Sequence, residues 1–157
     1  MRVRLIAVGT RPPAWVREAC EGYITRLGAR LPVTITEVAS GPRSGAAEPP
    51  ARAIAREGER ILAALRREDY VVALDERGTE HSTRELAAWL KTRMQEGEDL
   101  AFVIGGPDGL APEVLARSKL RWSLSRLTLP HALVRVLLTE QLYRAHSLLA
   151  GHPYHRD

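Results

Sequence analysis

Short apolar runs rich in β-branched residues alternate along this chain with longer stretches of helical spacing, and that alternation restricts the fold more than any other feature. Val3–Val8, Val33–Val38, residues 70–74 and Leu100–Ile104 each read as a buried strand. Gly9-Thr10 with Pro12-Pro13 ends the first run, and Gly105-Gly106 breaks the last. Between the runs, Val16, Ala19, Cys20, Tyr23, Ile24 and Leu27 fall on one helical stripe, and residues 51–67 carry Ile54, Ile61, Leu62 and Leu65 as the positions expected to be buried. Ser82-Thr83 with Glu85 opens a helix bearing Leu86, Trp89, Leu90 and Met94, and Gly97 stops it. A short helix over 112–118 precedes a run from 122 to 129 that reads as a fifth strand leaving the sheet through an irregular turn. Pro130 then starts a helix over His131–Leu149. Strand and helix in alternation predict an α/β fold, with a mainly parallel sheet and helices on both faces. At 157 residues the chain has room for one domain, spanning 1–157.

The terminal helix is apolar on two sides, with Val134, Leu137, Leu138, Ala145 and Leu148 on one and Leu133, Val136 and Tyr143 on the other. It therefore wants two neighbours, and one of them is expected to be a second copy in a homodimer. No stretch approaches about 18 consecutive apolar residues and no long apolar segment follows the N-terminus, so no membrane partner is expected and the cytoplasm is the default compartment. The lone Cys20 has no internal partner, and it reads as a small core residue rather than a nucleophile because no histidine lies near it in sequence. A net charge of +4 leans towards nucleic acid, although many proteins with such an excess bind none. Arg2, Arg4, Arg11, Arg26, Arg30 and Arg43 are the candidate RNA contacts.

Three strand ends offer small or irregular backbone: Leu74-Asp75, Gly105-Gly106 and 125–130. Ligands of open α/β sheets bind outside the carboxyl ends of the strands, so these loops are expected to converge. Such a cleft, lined by amides and carbonyls between apolar walls, suits an adenine ring. The competing reading is that Gly105-Gly106 only turns tightly and that 127–129 only packs. The chain has neither G-x-G-x-x-G after its first strand nor a Walker lysine motif, which counts against a nucleotide-dependent oxidoreductase. His131 and Arg135 lie one helical turn apart and read either as a pair facing the cleft or as a cap and an ion-pair partner. Glu140 and Arg144 read as an intrahelical salt bridge. His152, His155 and Asp157 make a poor metal set, and no metal is expected.

The ordered set Ile104-Gly105-Gly106-Pro107-Asp108-Gly109-Leu110, Ser123-Leu124-Ser125, Leu127-Thr128-Leu129-Pro130-His131, Val134-Arg135-Val136, Glu140-Gln141-Leu142-Tyr143-Arg144-Ala145 and His152-Pro153-Tyr154-His155-Arg156 resembles one family across essentially the whole chain. This is the family of small bacterial SPOUT-class methyltransferases acting on N3 of a pseudouridine in 23S ribosomal RNA. The resemblance implies S-adenosyl-L-methionine held in a trefoil knot made by the last third of the chain, a knot that topology rules alone would reject. Carried over by motif, it implies Leu74, Gly105, Gly106, Ser125, Arg126, Leu127, Thr128, Leu129 and Pro130 as cofactor residues. Arg126 and Ala132 vary within these motifs, where the contacts are expected to come from backbone. The resemblance further implies a homodimer acting on 23S rRNA within the assembled 70S ribosome, and a C-terminal end that folds back towards the cofactor or a partner subunit. His155 is then the first candidate for moving the imide proton. Tyr154 is a candidate base, hydrogen-bond partner or stacking surface, and Arg156 a holder of phosphate or developing negative charge. His131 and Arg135 complete the catalytic candidates. The alternative is a non-catalytic ribosome-binding or RNA-binding factor that kept the fold.

Overall fold

A computed structural model describes residues 1–43 and 49–155. The elements run β1 (Val3–Val8), α1 (Ala14–Leu27), a 3₁₀ turn (Gly28–Arg30), β2 (Val33–Val38), α2 (Pro50–Ala64), β3 (Tyr70–Glu80), α3 (Thr83–Glu96), β4 (Leu100–Ile104), α4 (Pro112–Arg117), β5 (Leu120–Ser123) and α5 (His131–Leu149). The strands form one five-stranded sheet in the order β2-β1-β4-β3-β5, and every neighbouring pair is parallel. Side-chain alternation at period two divides the core between its faces. Val3, Leu5 and Ala7 of β1 with Leu100, Phe102 and Ile104 of β4 meet the apolar faces of α1, α3 and α5. Ile6 and Val8 with Ala101 and Val103 point the other way, towards Ile61 of α2 and Val114 of α4. Helices therefore cover both faces, as expected.

The caps behave as read. Ser82 Oγ accepts from the Glu85 amide at 3.2 Å while the Glu85 carboxylate accepts from the Ser82 amide at 2.7 Å, and Gly97 closes α3 at φ 70°. Helix α5 does find two neighbours, but they are α1 and α3 of its own chain, so its two-sided pattern needs no second copy.

Three details depart from expectation. Strand β3 does not stop at Leu74 but continues to Glu80, with a register shift against β5 between Leu74 and Thr79. Hydropathy hides this extension because residues 75–78 are polar or glycine, and the pairing is made by backbone across a bulge. At that bulge a Cβ on Gly78 would lie 2.6 Å from the Arg121 backbone, so glycine allows the approach. Strand β5 in turn ends at Ser123 rather than running to 129. The Ser123 hydroxyl donates to the Ser125 carbonyl at 2.9 Å and the Ser125 hydroxyl accepts from the Leu127 amide at 3.0 Å, local bonds that take the place of a ladder. Helix α2, finally, buries Ala53, Glu57, Gly58 and Ile61, leaving Leu62 36% exposed. A carboxylate stands where the apolar pattern was expected to continue.

Candidate active site

The carboxyl ends of β3, β4 and β5 surround a cavity of about 430 Å³. Its walls are residues 74–77 after the regular part of β3, 104–110 after β4, Trp122, Leu124, Ser125, Leu127, Thr128 and Leu129 in and after β5, and His131 with Val134 from the first turn of α5. The three strand ends singled out by their small or irregular backbone do converge. The turn after β4 is tight: Gly109 donates its amide to the Gly106 carbonyl at 3.1 Å, and Gly109 takes φ 87°. A side chain at Gly105 would place Cβ 2.8 Å from the Gly109 carbonyl oxygen, so the turn presents bare backbone to the cavity.

Of the expected cofactor residues, Leu74, Gly105, Gly106, Ser125, Leu127, Thr128 and Leu129 line this cavity, whereas Arg126 and Pro130 flank it without lining it. Leu127, 72% exposed, stands at the open mouth. Asp75 lines it too, as the reading of the Leu74-Asp75 strand end expected, whereas Glu76 and Arg77, which the bulge in β3 brings alongside it, were not anticipated.

His131 and Arg135 separate in role. His131 lines the cavity, and its pKa is pushed below the ordinary 6.5 by burial first and then by the Arg135 and Arg43 cations, so its imidazole is neutral at pH 7. Arg135 is turned away. Its side chain is 3% exposed, and it donates to the carbonyls of Val8 at 3.1 Å and Gly9 at 2.6 Å and to the Glu37 carboxylate at 2.6 Å. It thus ties α5 to the ends of β1 and β2, which is why it does not reach the cavity. Cys20 is buried, and its thiol is pushed up by that burial, in keeping with a core residue.

The C-terminal end lies on the far half of α5. The Tyr154 ring packs against Tyr143 with centroids 4.6 Å apart and planes tilted by 60°, lies under the Arg144 guanidinium at 4.8 Å, and its hydroxyl donates to Glu140 at 3.1 Å. Burial and the neighbouring Tyr23 and Glu140 push the phenol to about 12. In this seat Tyr154 is a hydrogen-bond donor at neutral pH, not a base. Glu140 is bridged to Arg144 at 2.6 Å, as read from the spacing. Since Glu140 is nine residues beyond His131, the tail sits about 13 Å along the helix axis from the cavity. His155 is half-buried, with its Nδ1 buried and unpartnered among the described residues, and Arg156 lies outside the described residues.

One cluster was not found by sequence reasoning. Glu57 of α2, its side chain 2% exposed, accepts from Arg43 at 2.5 Å and from the Gly41 amide at 3.0 Å, and Arg43 also donates to Asp108 of the cavity turn at 2.9 Å. The signal was available in the i, i+4 spacing of Ala53, Glu57 and Ile61, which puts a carboxylate on the buried stripe and requires a cation opposite it. Arg2 and Arg4, read as RNA contacts, are likewise ion-paired, to Asp99 and Asp69. Among the described residues no three His, Cys, Asp or Glu side chains form a cation cage, and no helix is long and apolar enough to cross a membrane.

Known proteins resemble this chain along its length. The profile of the family described as "Predicted SPOUT methyltransferase" matches residues 1–155. The "Ribosomal RNA large subunit methyltransferase H" of Alkalilimnicola ehrlichii is 54% identical over 156 residues, 99% of each chain. The protein of the same name from Chromohalobacter salexigens is 53% identical over 156 residues, 99% of this chain and 100% of that one. Among solved structures, a probable methyltransferase from Bordetella pertussis superposes with a TM-score of 0.56 at 19% identity, covering 92% of this chain and 95% of that one. A putative methylase family protein from Neisseria gonorrhoeae gives 0.55 at 16% identity, covering 90% and 81%. These last two bear on the fold alone.

Proposed function

The chain belongs to the SPOUT methyltransferase family, and from that premise we propose that it transfers the methyl group of S-adenosyl-L-methionine to N3 of a pseudouridine in the 23S rRNA of the assembled 70S ribosome. The observation that carries the reading is the cavity at the ends of β3, β4 and β5, together with relatives named for large-subunit rRNA methylation at about half identity over the full chain. The family's trefoil knot falls on the last third of the chain, and a ribosomal substrate goes with the cytoplasm.

The cavity fits the cofactor on its own chemistry. Its volume lies in the range of small-molecule sites, its walls at Leu74, Leu124, Leu129 and Val134 are apolar, and the turn at Gly105-Gly106 bares backbone donors and acceptors suited to an adenine edge. Asp75, Glu76 and Asp108 bring carboxylates suited to the cationic parts of the same molecule. When bound, S-adenosyl-L-methionine supplies an electrophilic methyl group on a sulfonium.

What remains for the chain is orientation and one proton. Holding the two reactants in line is worth about 7 to 11 kcal/mol of barrier in favourable cases, so rigid loops around the cavity do most of the work. As the pseudouridine N3 takes the methyl group, its imide proton must leave, and the neutral His131 imidazole is the acceptor placed in the cavity wall. The tail residues Tyr154, His155 and Arg156 then act on the RNA, by stacking and by pairing with negative charge. Tyr154, seated about 13 Å from the cavity of its own chain, reaches a reacting base by leaving its seat on α5 or by serving the cavity of a second copy in a homodimer.

The test is incubation with methyl-labelled S-adenosyl-L-methionine and 70S ribosomes from a strain lacking the modification, with the label mapped by nuclease digestion and mass spectrometry. Label on N3 of one pseudouridine is the expected result. Intact ribosomes and bound cofactor with no label would replace this reading with that of a non-catalytic ribosome-binding factor.

A further inference from the structure

The cluster behind the cavity turn carries a charge that its own members do not neutralise. Glu57 and Asp108 share the single guanidinium of Arg43, so the three groups sum to one negative charge. Hydrogen bonding is uneven as well: Glu57 Oε1 holds both Arg43 and the Gly41 amide, while Oε2 is buried with no partner among the described residues. Buried carboxylate oxygens without partners are rare and costly, and this one calls for a purpose. It is directed at Gly106, where a Cβ would lie 3.1 Å from Oε2 and 3.2 Å from Oε1. Gly106 is wall to the cavity on one side and cover to the carboxylate on the other.

We propose that Glu57, Arg43 and Asp108 form a specificity-determining cluster that favours a cationic cofactor in the cavity over a neutral one. The inference rests on the methyl-transfer reading. Methyl transfer turns the sulfonium of S-adenosyl-L-methionine into the neutral thioether of S-adenosyl-L-homocysteine, so the bound molecule loses one positive charge while the cluster keeps its negative one. The field of the cluster therefore holds the donor and relaxes its hold on the product, which assists turnover. Glu57 acts through the Gly106 backbone and is not a catalytic residue. Its near-complete burial is what makes the charge count, because solvent screens it little. Asp108, 33% exposed, contributes less.

Calorimetric titration of the purified protein with S-adenosyl-L-methionine and with S-adenosyl-L-homocysteine tests this, read as the ratio of the two dissociation constants. Glu57→Gln removes the charge and keeps the shape and an acceptor for the Gly41 amide. The ratio should shift towards the product by roughly fivefold, the size of one unit charge acting through a partly screened interior. Asp108→Asn should shift it the same way by about twofold, and Arg43→Lys, which keeps the charge sum, should leave it within that margin. An unchanged ratio in a folded Glu57→Gln variant overturns the proposal, and if that variant does not fold, an unchanged ratio in Asp108→Asn does so. A wild-type protein that binds neither ligand would defeat the methyl-transfer reading and this inference together. Binding of both with an unmoved ratio would defeat this inference alone.

Discussion

Two corners of the same sheet edge have opposite fates. Strands β1 and β4 are neighbours whose following helices leave to opposite faces, α1 to one and α4 to the other, which is the arrangement that opens a ligand crevice in many α/β proteins. Here that crevice is sealed. Arg135 enters it from α5 and satisfies the Val8 and Gly9 carbonyls and Glu37. The cavity opens one strand over, at β4, β3 and β5, where a bulge, a bare Gly105-Gly106 turn and an irregular 124–130 segment prevent close packing. Topology makes the opening available, and the residues at each strand end determine whether it is filled.

Removing the seal should produce the largest effect. Arg135→Met leaves the buried Val8 carbonyl, the partly buried Gly9 carbonyl and the Glu37 carboxylate without their charged donor, a loss of about 3 kcal/mol of stability by urea denaturation. Retained cofactor affinity in the folded fraction would sharpen the contrast between the corners, and a fully stable variant would end it.

The cavity corner should respond in rate. His131→Gln is expected to lower single-turnover methylation about 100-fold, equivalent to about 2.7 kcal/mol, with cofactor affinity changed little. The acid limb of the wild-type rate should have its midpoint below pH 6.5, since burial and the neighbouring cations depress the His131 pKa from that value. The same depression has a stability consequence of defined sign: its contribution is complete above the unfolded value of 6.5 and is lost as pH falls through the lower folded value. Replacement of His131 without loss of rate would hand the proton to the tail.

Gly78→Ala tests the bulge that opens the cavity. Its Cβ would fall 2.6 Å from the Arg121 backbone, and separating β3 from β5 there should cost about 2 kcal/mol and weaken cofactor binding with it. At the quiet end of α5 the expected change is smallest. With the Tyr154 phenol raised to about 12, its contribution to stability is complete below pH 10 and is lost as pH rises through 12. Spectrophotometric titration should show Tyr154→Phe losing the last phenol to ionise, and a Tyr154 that ionises near pH 10 would show that the seat on Glu140 is not held in solution.

What could be read from the chain depended on whether the signal was local. Short apolar runs such as Val3–Val8 and the capping box at Ser82 and Glu85 declare themselves within a few residues, because a buried strand and a helix start each need their residue types side by side in sequence. The ordered motifs from Ile104 to Val134 likewise hold most of the cavity wall. Residues 75–80 were illegible as strand, since backbone pairing across a bulge leaves no trace in side-chain hydropathy. The placement of Glu57, Arg135 and the tail came only with the folded chain. Glu57 is satisfied by Arg43 in another element, Arg135 by carbonyls 126 and 127 residues away, and Tyr154 by a seat on α5. Local propensity specifies which element a residue joins. A buried charge or a backbone carbonyl takes its partner from whatever the tertiary packing brings within about 3 Å, and no spacing along the chain encodes that distance.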